Sequence, residues 1–140
     1  MHTLGENFAM AIAAKDGAAL RAVLSDTIDF QALTPKRHWQ ATSGTEVAWE
    51  IILGTWFGAA RIDELCSLAA GRVAGREHVA YRLRVRAGSD DYLVEQQAYY
   101  NGGDDGRIGW MRILCSGYVP VLSVPVLSVP VLSVPVLSAG

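Results

Sequence analysis

Glu95 and Gln96 are adjacent polar residues in a segment, Tyr92 to Tyr100, whose alternation is typical of a β-strand. Successive side chains of a strand point to opposite faces of a sheet, so only one of the two can face an interior. An inward Glu95 would act as a general acid or base, because burial favours the protonated carboxyl group. An inward Gln96 would bind a carbonyl or hydroxyl group. In the other interpretation, Glu95 is solvated and pairs with an arginine of the neighbouring strand.

His38 is the second candidate for proton transfer, since imidazole changes its charge near neutral pH. It precedes Trp39 in a short predicted strand, Arg37 to Ala41, so the two side chains point to opposite faces. If Trp39 faces inward, His38 faces outward and is exposed or structural. The histidines and the two cysteines, Cys66 and Cys115, lack the paired spacing of a metal site, so the sequence predicts neither a metal nor a cofactor.

Large aromatic rings are numerous for a chain of 140 residues. Buried rings pack a core as readily as they bind a ligand, so most of them are expected to be core. Rings that the core does not use would line an apolar cavity with a few polar tips, as a small-molecule site requires. The candidate ligand-binding residues are Trp39, Trp49, Trp56, Tyr81, Tyr100, Gln96 and Arg112.

The charge balance points away from polyanionic partners. The net charge is −2 and the pI is near 5.9, which argues against nucleic acid or an anionic membrane surface as a partner. Arg82, Arg84 and Arg86 share one face of a predicted strand, and we interpret that face as solvated or as a dimer interface. No basic segment precedes a long apolar run at the N-terminus, so we expect a soluble, cytoplasmic protein.

Capping signals predict three helices. Thr3 and Glu6 have the spacing of a capping box ahead of an amphipathic helix, and Asp16 can cap a second helix. Another box, Ser43 to Glu46, precedes a longer helix. The apolar residues of this helix point nearly all round its axis, so it is predicted to be buried.

Alternating apolar residues separated by turns predict the strands. Thr27 to Leu33 and Arg37 to Ala41 are expected to form a hairpin, and four further strands follow from Ile62 to Cys115. We therefore predict an α+β domain whose three helices lie on one side of a curved sheet of about six strands.

Residues 119–138 repeat the sequence VPVLS four times. Proline at every fifth position prevents a helix, so this segment is not a membrane helix. We divide the chain into a domain, residues 1–118, and a repeat tail, residues 119–140. The tail is either a flexible, incidental extension or a strand laid along a sheet edge or an apolar patch, in cis or on a partner.

The order of elements and several short strings resemble a known superfamily. The strings include Leu24 to Phe30, Ser43-Gly44, Glu95 to Tyr100, Asp105 to Arg112, and Cys115 to Tyr118. With them, residues 4–118 resemble the nuclear-transport-factor-2-like superfamily, which includes ketosteroid isomerases and SnoaL-like polyketide cyclases, and most of all its uncharacterised bacterial members. The resemblance implies a cone, in which a curved antiparallel sheet with a mixed edge wraps the long helix around an apolar pocket. It also implies a homodimer through the outer sheet face.

The catalytic residues of that superfamily are mostly not matched. Phe8 stands where the isomerases have an oxyanion-donating tyrosine, and Thr34-Pro35 where they have a base carboxylate. Gln96 lies near their protonated aspartate and can donate a hydrogen bond, but it cannot act as an acid. Arg112 is the nearest counterpart of an arginine in the epoxide hydrolases, whereas Leu114 stands where one of their aspartates would be.

We therefore predict that the domain binds a small apolar molecule, polycyclic or carbonyl-bearing, in an internal pocket. Acid–base chemistry of the isomerase, dehydratase or cyclase type would use Glu95 or His38, without a cofactor. The alternative is a non-catalytic dimerising binding or assembly module. That alternative predicts a filled core and an interface on the arginine-bearing sheet face. Whether the protein is an enzyme stays open.

Overall fold

The computed structural model describes residues 1–121, and two short helices open the chain. α1 is Leu4–Ala13 and α2 is Gly17–Ala22. The predicted capping box is present, since the Glu6 N–H donates to Thr3 Oγ1 at 3.1 Å and the Thr3 N–H donates to Glu6 Oε1 at 2.8 Å. Asp16 Oδ1 accepts a backbone N–H of α2 at 3.0 Å, so its predicted capping role is confirmed.

The long helix, Glu46–Trp56, differs from the predicted helix in its winding and in its burial. Its hydrogen bonds follow the π-helical pattern, and the Phe57 N–H at its end donates to the Ile52 carbonyl at 3.0 Å. Its buried residues are Val47, Ala48, Ile51 and Ile52. Trp49, in contrast, is 50% exposed. The prediction of burial all round is therefore wrong, because the helix presents only one face to the core.

In residues 1–121, seven strands form one curved sheet. They are β1 Leu24–Thr34, β2 Arg37–Ser43, β3 Arg61–Val73, β4 Arg76–Ala87, β5 Asp90–Gly102, β6 Ile108–Cys115 and β7 Val119–Pro120. The order across the sheet is β2-β1-β6-β5-β4-β3, with β7 beside β5. β1 runs parallel to β6, and the other neighbours are antiparallel. The predicted α+β architecture with a mixed sheet is confirmed.

The core lies between the helices and the inner face of the sheet. Along β4 and β5 every second residue is buried, namely Val79, Tyr81, Leu83, Val85, Val94, Gln96, Ala98 and Tyr100. Phe8 of α1 meets Tyr81 edge to face, with ring centroids 6.4 Å apart. The Tyr100 hydroxyl accepts the Gly5 N–H at 2.8 Å and so attaches α1 to the sheet.

After β6 the chain pairs with the start of β5 as β7. Val119 pairs with Leu93 and Pro120 pairs with Tyr92, so the first two residues of the predicted repeat tail lie beside a strand. The rest of that tail, residues 122–140, lies outside the described residues. Among the helices of residues 1–121, none is long and apolar enough to cross a membrane.

Candidate functional site

Gln96 is the inward member of the polar pair on β5, and Glu95 is the outward one. Gln96 is fully buried, whereas Glu95 is exposed. The Glu95 carboxylate lies 3.4 Å from an Arg82 guanidinium nitrogen across the strand pair, and both side chains are about half exposed. The structure thus places Glu95 in its alternative role as a solvated ion-pair residue, and it corrects the hypothesis of an acid or base inside the cone.

The buried amide of Gln96 bonds to two other inner side chains. The Tyr81 hydroxyl donates to Gln96 Oε1 at 2.5 Å, and Gln96 Nε2 donates to Cys115 Sγ at 3.2 Å. Burial raises the pKa of Tyr81 well above its usual value, which keeps this hydroxyl a donor. The protein itself therefore engages both the oxygen and the nitrogen of the amide that was expected to bind a ligand.

The interior around this pair is filled. A void large enough for water would leave accessible surface on the side chains that border it. Phe8 and Gln96 have none, and Tyr81 has 1%. The predicted internal pocket is therefore not open at these residues, because the Tyr81 ring lies between α1 and Gln96 and takes up the space.

The rings of Trp39 in β2 and Trp56 in the long helix are in contact. Their ring centroids are 5.9 Å apart, and Trp56 is 6.3 Å from Phe30. Trp39 Nε1 donates to Thr34 Oγ1 at 2.8 Å. Trp56 Nε1 is buried and has no hydrogen-bond partner among residues 1–121. These two candidates thus come together, whereas Trp49 is exposed on another face and does not join them.

His38 faces outward, as expected if Trp39 faces inward. Its Nε2 atom lies 2.9 Å from Gln31 Oε1 on the outer face of the sheet. Arg112 is also on this face, where it lies 3.1 Å from an Asp29 carboxylate oxygen and over the Trp110 ring at 4.4 Å. His38 and Arg112 were candidates for an internal site, and the structure places both on the outer face instead.

A cavity of about 530 Å³ lies on this outer face, and we call it the outer groove. Its lining includes Leu33, His38, Gln97, Tyr99, Arg112 and Leu114. The strand register places His38, Leu33, Leu114 and Gln97 in one row across β2, β1, β6 and β5. Leu33 and Leu114 are 53% and 60% exposed. The row is thus an exposed aliphatic pair with a polar side chain at each end.

Leu33 and Leu114 were not singled out from the sequence as a surface feature. The available signal was alternation, because Phe30 and Ile113 face inward and residues at odd spacing from them face outward. The parallel pairing of β1 with β6, which makes the two leucines neighbours, joins segments about 80 residues apart in the chain and has no local sequence signal.

Arg82, Arg84 and Arg86 of β4 differ in their ion pairs. Arg82 pairs with Glu95, and Arg86 lies 3.1 Å from Asp91 and 3.8 Å from Asp63. Arg84 has no ion pair within residues 1–121, and its Nε atom is buried without a hydrogen bond. The predicted arginine face is therefore mostly a network of surface ion pairs, which contribute little stability individually.

Comparison with known proteins shows structural likeness only. No family model matches the sequence, and no curated protein matches it. An inferred isomerase from Rhodopseudomonas palustris is 12% identical over 84% of this chain and 92% of its own, with a TM-score of 0.65. An inferred SnoaL-like polyketide cyclase from Shewanella denitrificans is 9% identical over 81% and 88%, with a TM-score of 0.59. A ketosteroid isomerase-like protein from Erwinia carotovora atroseptica is 18% identical over 84% and 92%, with a TM-score of 0.56.

At these identities the likeness concerns the fold and not an activity. The mixed sheet, the three helices and these neighbours together confirm the resemblance stated from the sequence. The chain has the fold of the nuclear-transport-factor-2-like superfamily.

Proposed function

We propose that this protein is a homodimeric binding module that associates through the outer groove. The observation that supports this proposal best is the neighbouring pair Leu33 and Leu114, which exposes two aliphatic side chains in the middle of a folded sheet face. Exposed apolar surface of this kind is typical of an interaction site when polar residues surround it. Of the two functions predicted from the sequence, the geometry thus favours the assembly module.

The groove has the composition of an interface, with an apolar centre and a polar rim. Leu33 and Leu114 form the centre. On one side lie His38 and Gln31, joined at 2.9 Å, and on another lies Arg112 with Asp29. A two-fold axis near the leucine pair would bring the same row of residues against itself, as an isologous dimer requires. The superfamily resemblance implies the same face.

Acid–base catalysis inside the cone receives no support from the buried residues. Within residues 1–121 the buried polar residues other than tyrosine are Ser25 and Gln96, and neither side chain is a general base at neutral pH. Glu95 and His38, the two candidates from the sequence, both lie on the outer face. We therefore do not propose an isomerase, lyase or cyclase activity.

The test is the mass of the full chain in solution, by light scattering after size exclusion, for the wild type and two variants. The wild type should be a dimer of the 15.1 kDa chain. Leu114→Glu should weaken the dimer by roughly tenfold or more, because it buries a carboxylate at the apolar centre. Val73→Glu is the matched control, since Val73 is exposed at the end of β3 outside the groove.

A monomeric wild type at tens of micromolar would contradict this proposal. So would an unchanged dimer in Leu114→Glu, because the association would then use another surface. If Val73→Glu and Leu114→Glu both lost the dimer, the dimer interface could not be assigned to the outer groove.

A further inference from the structure

The segment between β6 and the end of the described chain, residues 116–121, packs against the first half of β5 and the β1–β2 turn, and we call it the C-terminal strap. The Ser116 N–H donates to the Glu95 carbonyl at 2.9 Å, and the Glu95 N–H donates to Ser116 Oγ at 2.9 Å. Gly117 follows with φ +75°, a conformation that favours glycine. A Cβ there would lie 2.7 Å from Pro35 Cγ, so the strap turns tightly against the β1–β2 turn.

Tyr118 is the side chain that this strap inserts. Its hydroxyl donates to the Trp56 carbonyl oxygen at 2.6 Å. Its ring lies nearly parallel to Phe57, with centroids 6.4 Å apart, and edge-on to Tyr92 at 5.5 Å. The side chain is still 38% exposed, so it fills an aromatic seat that is open to solvent on one side.

The contacts of Tyr118 are of the kind that a bound phenolic ligand would make. One phenol ring is held between two aromatic side chains, and one hydroxyl donates to a backbone acceptor at the end of a helix. Partial burial raises the pKa of Tyr118, which favours the protonated hydroxyl that donates this bond. The same residue that accepts it, Trp56, has a buried indole N–H that finds no hydrogen-bond partner within the described part of the chain.

We propose that the seat formed by Trp56, Phe57 and Tyr92 is a binding site for a small aromatic molecule with a hydroxyl group, and that Tyr118 occupies it in cis. A free ligand can bind only to molecules in which Tyr118 has left the seat. Tyr118 therefore lowers the apparent affinity of the site for the ligand, and the reduction is larger when the seat is filled for more of the time. This site shares no lining residue with the outer groove, and the inference does not rest on the proposed dimer.

The test uses two probes that reproduce the side chains of tyrosine and phenylalanine, p-cresol and toluene. Binding is followed by NMR titration of the Trp56 indole N–H signal in the full chain, assigned with Trp56→Phe. Tyr118→Ala should bind p-cresol at least tenfold more tightly than the wild type, because its seat is empty. The same variant should bind toluene roughly tenfold more weakly than p-cresol, since toluene cannot donate to the Trp56 carbonyl.

Val73→Ala is the control, because Val73 is an exposed apolar residue at the end of β3 that lines neither the seat nor the outer groove. It should bind p-cresol as the wild type does. Equal affinity of Tyr118→Ala and the wild type for p-cresol would overturn the site. Equal affinity of Tyr118→Ala for p-cresol and toluene would overturn the ligand class.

Tyr118→Phe keeps the ring and removes the hydroxyl, so it serves if Tyr118→Ala does not fold. Its strap has lost the bond to the Trp56 carbonyl. We expect p-cresol to bind this variant several-fold more tightly than the wild type. An affinity equal to that of the wild type would contradict the inference. The solution mass of each variant is recorded as well, so that a failure here and a failure of the dimer proposal are distinguished.

Discussion

The Tyr81 hydroxyl donates to the side-chain oxygen of Gln96 at 2.5 Å, and both residues are buried within the cone. They are direct neighbours in the register of β4 and β5. Each side chain gives the other the hydrogen-bond partner that a buried polar atom needs. The two side chains can therefore fill the interior, which leaves no room there for a ligand. This pair is the main reason why we assign binding to the surface.

Removing both members of this pair should cost less than the sum of the costs of removing each one alone. Tyr81→Phe leaves Gln96 Oε1 buried without its donor and should lower the free energy of unfolding by about 1–3 kcal/mol. Gln96→Leu likewise leaves the Tyr81 hydroxyl unpaired. The double variant should be destabilised by less than the sum of the two, with a coupling of about 1 kcal/mol. Urea unfolding of the four proteins measures this, and additive effects would show that the hydrogen bond contributes nothing.

Alkaline unfolding should also depend on Tyr81. Burial raises the pKa of its hydroxyl well above the usual value, so the unfolded chain loses this proton first as the pH rises. The stability due to the buried, protonated hydroxyl is therefore present below about pH 10 and declines above it. Tyr81→Phe should lose stability less steeply than the wild type between about pH 9 and 11. Equal slopes in urea unfolding would contradict this.

Acid unfolding should depend on Asp105, which holds the β5–β6 turn. The Arg107 N–H and then the Ser25 hydroxyl, each 3.0 Å from Asp105 Oδ1, keep the pKa of this carboxyl below its usual value. The pKa of this carboxyl group is therefore lower in the folded chain than in the unfolded chain, where it is about 3.9. The ionised carboxylate stabilises the fold above that pH, and this stabilisation is lost as the pH falls through the lower pKa of the folded state.

Asp105→Asn should therefore be less stable than the wild type at neutral pH, and the difference should shrink below about pH 4. Thermal unfolding at several pH values measures this difference. The neighbouring exposed residue provides the control, and Asp104→Asn should follow the wild type. A difference between Asp105→Asn and the wild type that stays constant down to pH 3 would show that the carboxylate charge is irrelevant to the turn.

The N-terminal capping box supplies a prediction that is independent of the site. Thr3→Ala removes the side-chain oxygen that accepts the Glu6 N–H at 3.1 Å. It should lower the free energy of unfolding by about 1 kcal/mol, as losses of such caps do. Thr3→Ser keeps the oxygen and should stay within a few tenths of a kcal/mol of the wild type. Equal losses in both variants would assign the effect to the methyl group.

The parts of the fold that local patterns determine were predicted well. The cap at Thr3, the hairpins after Ile62 and the opposite phases of His38 and Trp39 all follow from spacing within a few residues. The second capping box is present only as the bond from the Glu46 N–H to Ser43 Oγ at 3.3 Å. Its helix has π-helical winding, for which the spacing gave no signal.

The candidate site was predicted less well because it depends on contacts between distant segments. Glu95 and Gln96 are both polar, so hydrophobic alternation could not decide which one faces inward. Tyr81 was expected to line a cavity. Whether an aromatic ring lines a cavity or fills it depends on its tertiary contacts, and here the Tyr81 hydroxyl reaches Gln96 Oε1. Leu33 and Leu114 become an exposed pair only through the parallel pairing of β1 with β6.

The measurement that tests the proposed dimer most directly is an isotope-filtered NOE experiment on an equal mixture of labelled and unlabelled full chain. Cross-peaks in this experiment arise only between two copies of the chain. We predict cross-peaks from the methyl groups of Leu33 and Leu114 to protons of the unlabelled copy. Their absence at a concentration where the wild type is fully associated, or cross-peaks only from residues outside the outer groove, would contradict the proposal.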